Sequence, residues 1–221
     1  MFAPETERFP SRIERGLPAD WRVLNGGYSG MTTLHALTQL PAKIVPFASG
    51  RNRLVYFVPM SDSNALIAAG HYWSASKNVS PFVPAAEVPS VERSSREASA
   101  GLLRALVSAA RALGVDLAVV ASPFRRGDFS TDAALQALYR GERGRYARAL
   151  QRFALLREVA AEVCAEQSVP FLDSQEFMED PALFYDQMHL NLRGQQVYAE
   201  ELGHRLPDLL LALAEGEPAA S

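Results

Sequence analysis

The sequence predicts an α/β fold, a parallel sheet with helices on both faces, in one domain over residues 1–213 with a disordered tail at 214–221. Three observations lead there. Short apolar, β-branched runs alternate with amphipathic helical segments, the pattern of a doubly wound sheet. Two of those runs, Arg53–Pro59 and Val115–Ala121, are apolar but for Arg53 and Asp116 and read as buried strands, the first as the best strand in the chain. And polar segments follow the strands, at the carboxyl ends where such sheets bind ligands.

Taken in order, Phe9, Ile13 and Leu17 fall on one face of a helix that Pro18 ends. Trp21–Asn25 reads as a short strand running into the glycine loop Gly26–Gly30. Thr32 or Thr33 caps the next helix, with Leu34, Leu37 and Leu40 inward until Pro41. Arg53–Pro59 is a buried strand leading to the polar segment Ser61–Asn64. Residues 70–90 lack a period and read as a long surface excursion carrying His71, Tyr72 and Trp73. Helices are expected over Glu92–Leu113, Arg145–Glu166 and about Gly194–Leu213, with strands at Val115–Ala121 and Val169–Asp173.

Composition narrows the function. A net charge of -3 gives no electrostatic reason to expect nucleic acid. No apolar run approaches the ~20 residues that span a bilayer, and the first residues form no signal peptide. As written the chain reads as cytoplasmic; a preceding segment would leave a secreted or periplasmic location open. The single cysteine, Cys164, excludes an intramolecular disulfide and reads as a buried small hydrophobe. No metal-ligand spacing and no dinucleotide fingerprint are present, so no metal and no cofactor are expected. Nothing in the sequence fixes the oligomeric state.

The stretch Phe184–Gly194 carries the strongest chemistry. Asp186 stands three residues before His189, so its carboxylate can accept from Nδ1–H and leave Nε2 free as a base. The bland alternative is a helix start, with Asn191 as its cap. The glycine loop is either a tight turn or a source of a backbone N–H, from Gly30, aimed at an oxyanion. Ser61-Asp-Ser-Asn64 either caps a helix or supplies a second donor, with Ser61 and Asn64 both open. Ser29, Tyr72 and Trp73 complete the candidate substrate-binding residues, the two aromatics as a surface on which a sugar would stack.

Three of these segments together resemble the SGNH, or GDSL-type, hydrolases. Asn25-Gly-Gly-Tyr-Ser29-Gly30-Met-Thr-Thr33 is similar to the family's N-x-G-x-S-G-x-T-T block, and Asp186-Gln-Met-His189-Leu-Asn-Leu-Arg-Gly194 to its D-x-x-H-L-N-x-x-G block. The family's G-x-N-D block is matched loosely: if Asp62 takes the Asp position, Ser61 replaces the Asn. The resemblance implies a flavodoxin-like three-layer α/β/α sheet. It also implies a Ser-His-Asp triad with Asp186 and His189 as acid and base, and Gly30 as an oxyanion donor.

The family's first strand and its G-D-S serine have no counterpart ahead of Phe9. The expectation is therefore a serine esterase or acylhydrolase acting on small-molecule or glycan esters, O-acetyl carbohydrate among them, whose nucleophile lies upstream of this sequence. The alternative is a catalytically inactive ligand-binding or accessory domain on the same scaffold. A nucleophile elbow at Ser29 is disfavoured, because Gly27-Tyr-Ser29-Gly-Met31 breaks the G-x-S-x-G pattern at its last position.

Overall fold

A computed structural model describes residues 4–19, 21–27, 29–45, 52–67, 72 and 94–215. Three strands, β1 (Asn52–Val58), β2 (Val115–Ala121) and β3 (Phe171–Asp173), form a parallel sheet in the order β1-β2-β3. Asn52 stands opposite Val115 and Val58 opposite Ala121, while Val119 stands opposite Phe171. The seven helices of four or more α-helical residues among the described residues are α1 (Phe9–Gly16), α2 (Thr33–Gln39), α3 (Asp62–Ala65), α4 (Ser95–Ala112), α5 (Ala133–Leu138), α6 (Arg143–Glu166) and α7 (Leu192–Glu215).

The sheet is covered on both sides because its strands carry apolar side chains on both faces. Tyr56, Val58, Leu117 and Val119 pack against α4 and α6 through Leu103, Leu106, Leu156, Val159 and Val163. Val55, Phe57 and Leu172, one residue out of phase, face α1 and α7 through Ile13, Tyr198, Leu202 and Leu206. Each fully buried Val, Leu or Phe side chain contributes about 1.5–3 kcal/mol by leaving water. The result is the expected three-layer α/β/α arrangement. Among the described residues no helix is long and apolar enough to cross a membrane.

Local chemistry sets the boundaries. Ser94 and Glu97 form a capping box that starts α4, and Gly114 at φ +66 ends it and turns the chain into β2. Cys164 lies buried on α6, where desolvation pushes its thiol up to about 12, the behaviour of an inert core side chain.

Three expectations need correction. Trp21–Asn25 forms no regular element and joins no ladder among the described residues; Arg22, Leu24 and Asn25 are exposed, and the Trp21 ring lies under the Arg53 guanidinium instead. Pro41 does not stop the helix of Leu34 and Leu37. A wider π turn over Leu40–Ile44 continues α2, since a proline early in that turn gives up an N–H the wider hydrogen bonding does not need. Helix α5, capped by the Asp132 carboxylate on the N–H groups of Ala134 and Leu135, lies between β2 and α6, where no element is expected from the sequence. Of the 70–90 excursion only Tyr72 lies within the described residues, and the tail from residue 216 lies outside them.

β1 differs from β2 in one respect that matters for the site. β2 is paired along both edges, whereas β1 pairs with β2 alone among the described residues. Its other edge has no partner among the described residues, and Leu54, Val55 and Phe57 are only half-buried. An apolar strand of seven residues with an unpaired edge is a template for a further strand.

Candidate active site

The site grows from the turn that precedes α7. Asp186 folds back on its own backbone: Oδ1 accepts the N–H groups of Met188 (2.9 Å) and His189 (2.8 Å), and Oδ2 lies 2.7 Å from His189 Nδ1. A carboxylate there requires the proton on Nδ1 and leaves Nε2 as the acceptor. Burial pushes the Asp186 pKa up, but the two backbone donors and the imidazole outweigh it and hold the carboxyl below its usual range. The Tyr185 ring stacks on the imidazole at 5.4 Å, nearly parallel at 10°, and limits its rotation.

The rest of the motif fixes where this pair sits. The Asn191 side chain accepts the Gly194 N–H at 2.9 Å, capping α7, and donates to the Ala182 carbonyl at 2.7 Å. Gly194 is required by close approach: a Cβ there would stand 2.1 Å from the Leu183 carbonyl oxygen. The Asn191 N–H donates to that same carbonyl (3.0 Å), and Phe184 bridges Leu190. Asp, His, Asn and Gly of the motif therefore each have a physical task. The helix-cap reading and the acid–base reading are both satisfied, by different residues.

His189 opens onto a cleft of about 260 Å³ at the carboxyl ends of β1 and β2. Its aromatic floor is Phe9, Phe57 and Tyr198, packed edge to face at 5.0–6.2 Å between ring centres. Met60, Pro123, Met188 and Leu190 extend the apolar wall, and Arg8, Ser122 and Gln195 add polar groups. Gln195 Oε1 accepts the Phe9 N–H at 2.8 Å and so ties the start of α1 to α7. The loop after β2 is tied to the motif by the Arg125 N–H, which donates to the Gln187 carbonyl at 2.8 Å. Nearly half of the His189 side chain is exposed (47%), so a reactant in the cleft can reach it.

The other sequence-derived candidates sit differently. Gly30 has φ +79, a conformation that favours glycine, and its N–H has no partner among the described residues. Ser29 is exposed beside it. Ser61 precedes α3, Asn64 is exposed on it, and neither Gly30, Ser29, Ser61 nor Asn64 lines the cleft with His189. Tyr72, expected on a sugar-stacking surface, is instead fully buried, its hydroxyl 3.3 Å from Ser99 Oγ, so its ring faces the core and not a ligand. Trp73 lies outside the described residues.

Two features escape the sequence reading. Ser122 lines the cleft with His189, and its position just past a strand's carboxyl end was the available signal; its hydroxyl donates to the Val58 carbonyl at 2.8 Å. The second is a bond between the two loops of the candidate oxyanion donors: Asp62 Oδ1 accepts the Thr33 N–H at 2.9 Å, and Oδ2 accepts the Thr33 hydroxyl. No signal of spacing points to that pairing across 29 residues.

Comparison with known proteins agrees with this architecture. No protein-family model matches the chain, and no curated protein matches it. Solved structures do. An aryl esterase from M. smegmatis superposes with a TM-score of 0.61 at 15% identity, over 94% of this chain and 87% of its own. A carbohydrate acetylesterase family member from Sinorhizobium meliloti gives 0.62 at 15% identity, over 95% and 90%. A protein assigned to the lipolytic G-D-S-L family from Desulfitobacterium hafniense gives 0.58 at 13% identity, over 90% and 88%. At such identities the likeness is one of fold, and the fold is that of the GDSL, or SGNH, esterases.

Proposed function

We propose that the protein is a serine esterase or acylhydrolase of the SGNH type, acting on carboxylic esters, O-acetyl carbohydrate among the candidates. The observation that carries this reading is the Asp186–His189 pair, locked by three hydrogen bonds and opening onto an apolar cleft at the carboxyl ends of the strands. The aryl esterase and carbohydrate acetylesterase that share the fold support the substrate class.

In this reading the nucleophile is a serine outside the 221 residues, carried on a strand that pairs with the open edge of β1. His189 Nε2 takes the serine proton as Oγ attacks the acyl carbon. Asp186 stabilises the imidazolium that forms, and the negative charge collects on the former carbonyl oxygen. Gly30 N–H and Ser61 donate to that oxygen. Ser61 is preferred to Asn64 because Asp62, buried and bonded to Thr33, takes the Asp position of the G-x-N-D block and leaves Ser61 in place of the Asn. Collapse expels the alkoxide, which takes the proton back from His189. Water, deprotonated by the same imidazole, then releases the acid and frees the serine.

The test is hydrolysis of an aryl acetate by the protein expressed from its full native reading frame. His189→Ala is expected to lower kcat/KM roughly 10⁴-fold without loss of folding, since the side chain is half-exposed; retained turnover contradicts the assignment.

A second reading, a non-catalytic domain that binds an acylated ligand, is favoured by one observation. Ser122, the serine that lines the cleft, has its hydroxyl committed to the Val58 carbonyl. Such a domain would bind an acetylated glycan and resist labelling by a fluorophosphonate.

A further inference from the structure

Gly30 and Ser61 lie on separate loops, one before α2 and one before α3. They serve one oxyanion only if those loops are held in register. A single buried side chain joins them. Asp62, the first residue of α3 and 2% exposed, reaches across to the first residue of α2 and takes both hydrogens that Thr33 offers, its backbone N–H and its hydroxyl. Thr33 is three residues past Gly30. The Thr33 oxygen in turn accepts from the Tyr56 hydroxyl of β1 at 2.8 Å. Tyr72 hydrogen-bonds Asp62 from a third side and leans on Ser99 of α4. Among the described residues every group that faces the carboxylate is a neutral hydroxyl or amide, with Tyr56 and Tyr72 the titratable ones. His35 of α2 is engaged with Thr32 at 2.6 Å, and burial favours its neutral form.

We propose that Asp62 is a positioning residue whose ionisation holds the Gly30 loop in register with Ser61 and whose protonation loosens it. This rests on the oxyanion assignment of Gly30 and Ser61 above. The chemistry is one of hydrogen-bond polarity. An ionised carboxylate accepts on both oxygens and matches the two Thr33 donors and Tyr72. Once protonated, one oxygen carries a hydrogen and no longer accepts: the hydroxyl opposite it must reverse its role and give its own hydrogen to another partner, so the carboxyl then takes fewer hydrogens from Thr33 and Tyr72. Burial, opposed by the bonds to Thr33 and Tyr72, raises the carboxyl to about 6. Asp62 touches no substrate; it acts through Thr33.

The experiment follows backbone amide resonances of the protein expressed from its full native reading frame between about pH 4.5 and 8, a range that brackets the carboxyl's midpoint. It needs no nucleophile and no turnover. The Thr33 and Gly30 amides are expected to titrate together with one midpoint near 6, and amide exchange at Gly30–Thr33 to exceed its intrinsic rate trend below that midpoint. In Asp62→Asn the common step disappears. Thr33→Ser, which keeps both donors, retains it, while Thr33→Val, which removes a bond favouring the ionised form, moves the midpoint upward. A Thr33 amide that titrates while Gly30 stays still overturns the proposal, as does a Gly30 step that survives Asp62→Asn. Should Asp62→Asn fail to fold, the Thr33→Val shift at Gly30 decides in its place: an unmoved midpoint overturns the proposal. Retained ester hydrolysis in the His189→Ala test would leave these outcomes unchanged, so the two readings fail separately.

Discussion

Asp186 and Asp62 are both carboxylates that accept a backbone N–H and a side-chain donor, yet their surroundings push them in opposite directions. Asp186 bonds to residues two and three positions ahead, is partly open to solvent, and sits below its usual pKa. Asp62 bonds to a residue 29 positions away, is buried, and sits above it. The number of hydrogen bonds is similar in the two. Water makes the difference: burial without a cation penalises the ionised form more than three neutral donors repay. A carboxylate meant to stay charged and orient a base is therefore kept near the surface, and one that ties two loops together in the core is left able to take up a proton.

The steepest way to break the first half of this comparison is Gly194→Ala. The added Cβ would collide with the Leu183 carbonyl, so α7 must move and carry the Asp186–His189 turn with it. We expect a loss of about 3 kcal/mol in urea-induced unfolding. Wild-type stability in the Gly194→Ala variant would mean that the turn is looser than its geometry implies.

The opposite shifts of the two carboxylates sharpen the comparison through pH. For Asp62 the folded state holds its proton up to about 6, while the unfolded chain releases it near 3.8. Its contribution is therefore complete below 3.8 and falls as pH rises through that window, by about 3 kcal/mol in all. For Asp186, with its folded value lowered, the contribution is present above 3.8 and falls as pH drops through the folded value. Asp62→Asn should flatten the decline between about pH 4 and 6, and Asp186→Asn the acid limb below it, both read from denaturation midpoints against pH. Matching slopes for the two variants would contradict the contrast.

A smaller effect separates capping from catalysis within the motif. Asn191→Ala removes the cap on the Gly194 N–H and should cost about 1 kcal/mol. The Asp186 bonds to the Met188 and His189 amides do not pass through Asn191, so those two amide resonances should be unmoved.

The same contrast explains what could be read from the sequence. The turn at Asp186–Gly194 was legible because its bonds close within a few residues, and spacing alone encodes them. The strands β1 and β2 were legible because continuous apolar runs leave little else to be. The Trp21–Asn25 segment was misread because strand character is decided by a partner, and none pairs with it among the described residues. Tyr72 was misread because an aromatic in an irregular stretch gives no sign of which way it faces; the buried Asp62 and Ser99 decided that. The Asp62–Thr33 bond joins the first residues of two helices across an intervening strand, and no local pattern announces it.

The open edge of β1 beside the His189 cleft leads to the most direct measurement. The protein made by its native host would be treated with a fluorophosphonate, digested, and the labelled peptide identified by mass. The account predicts label on a serine in a segment ahead of residue 9, and no label in His189→Ala. Label on Ser29 or Ser122, or none on the native protein, would contradict it.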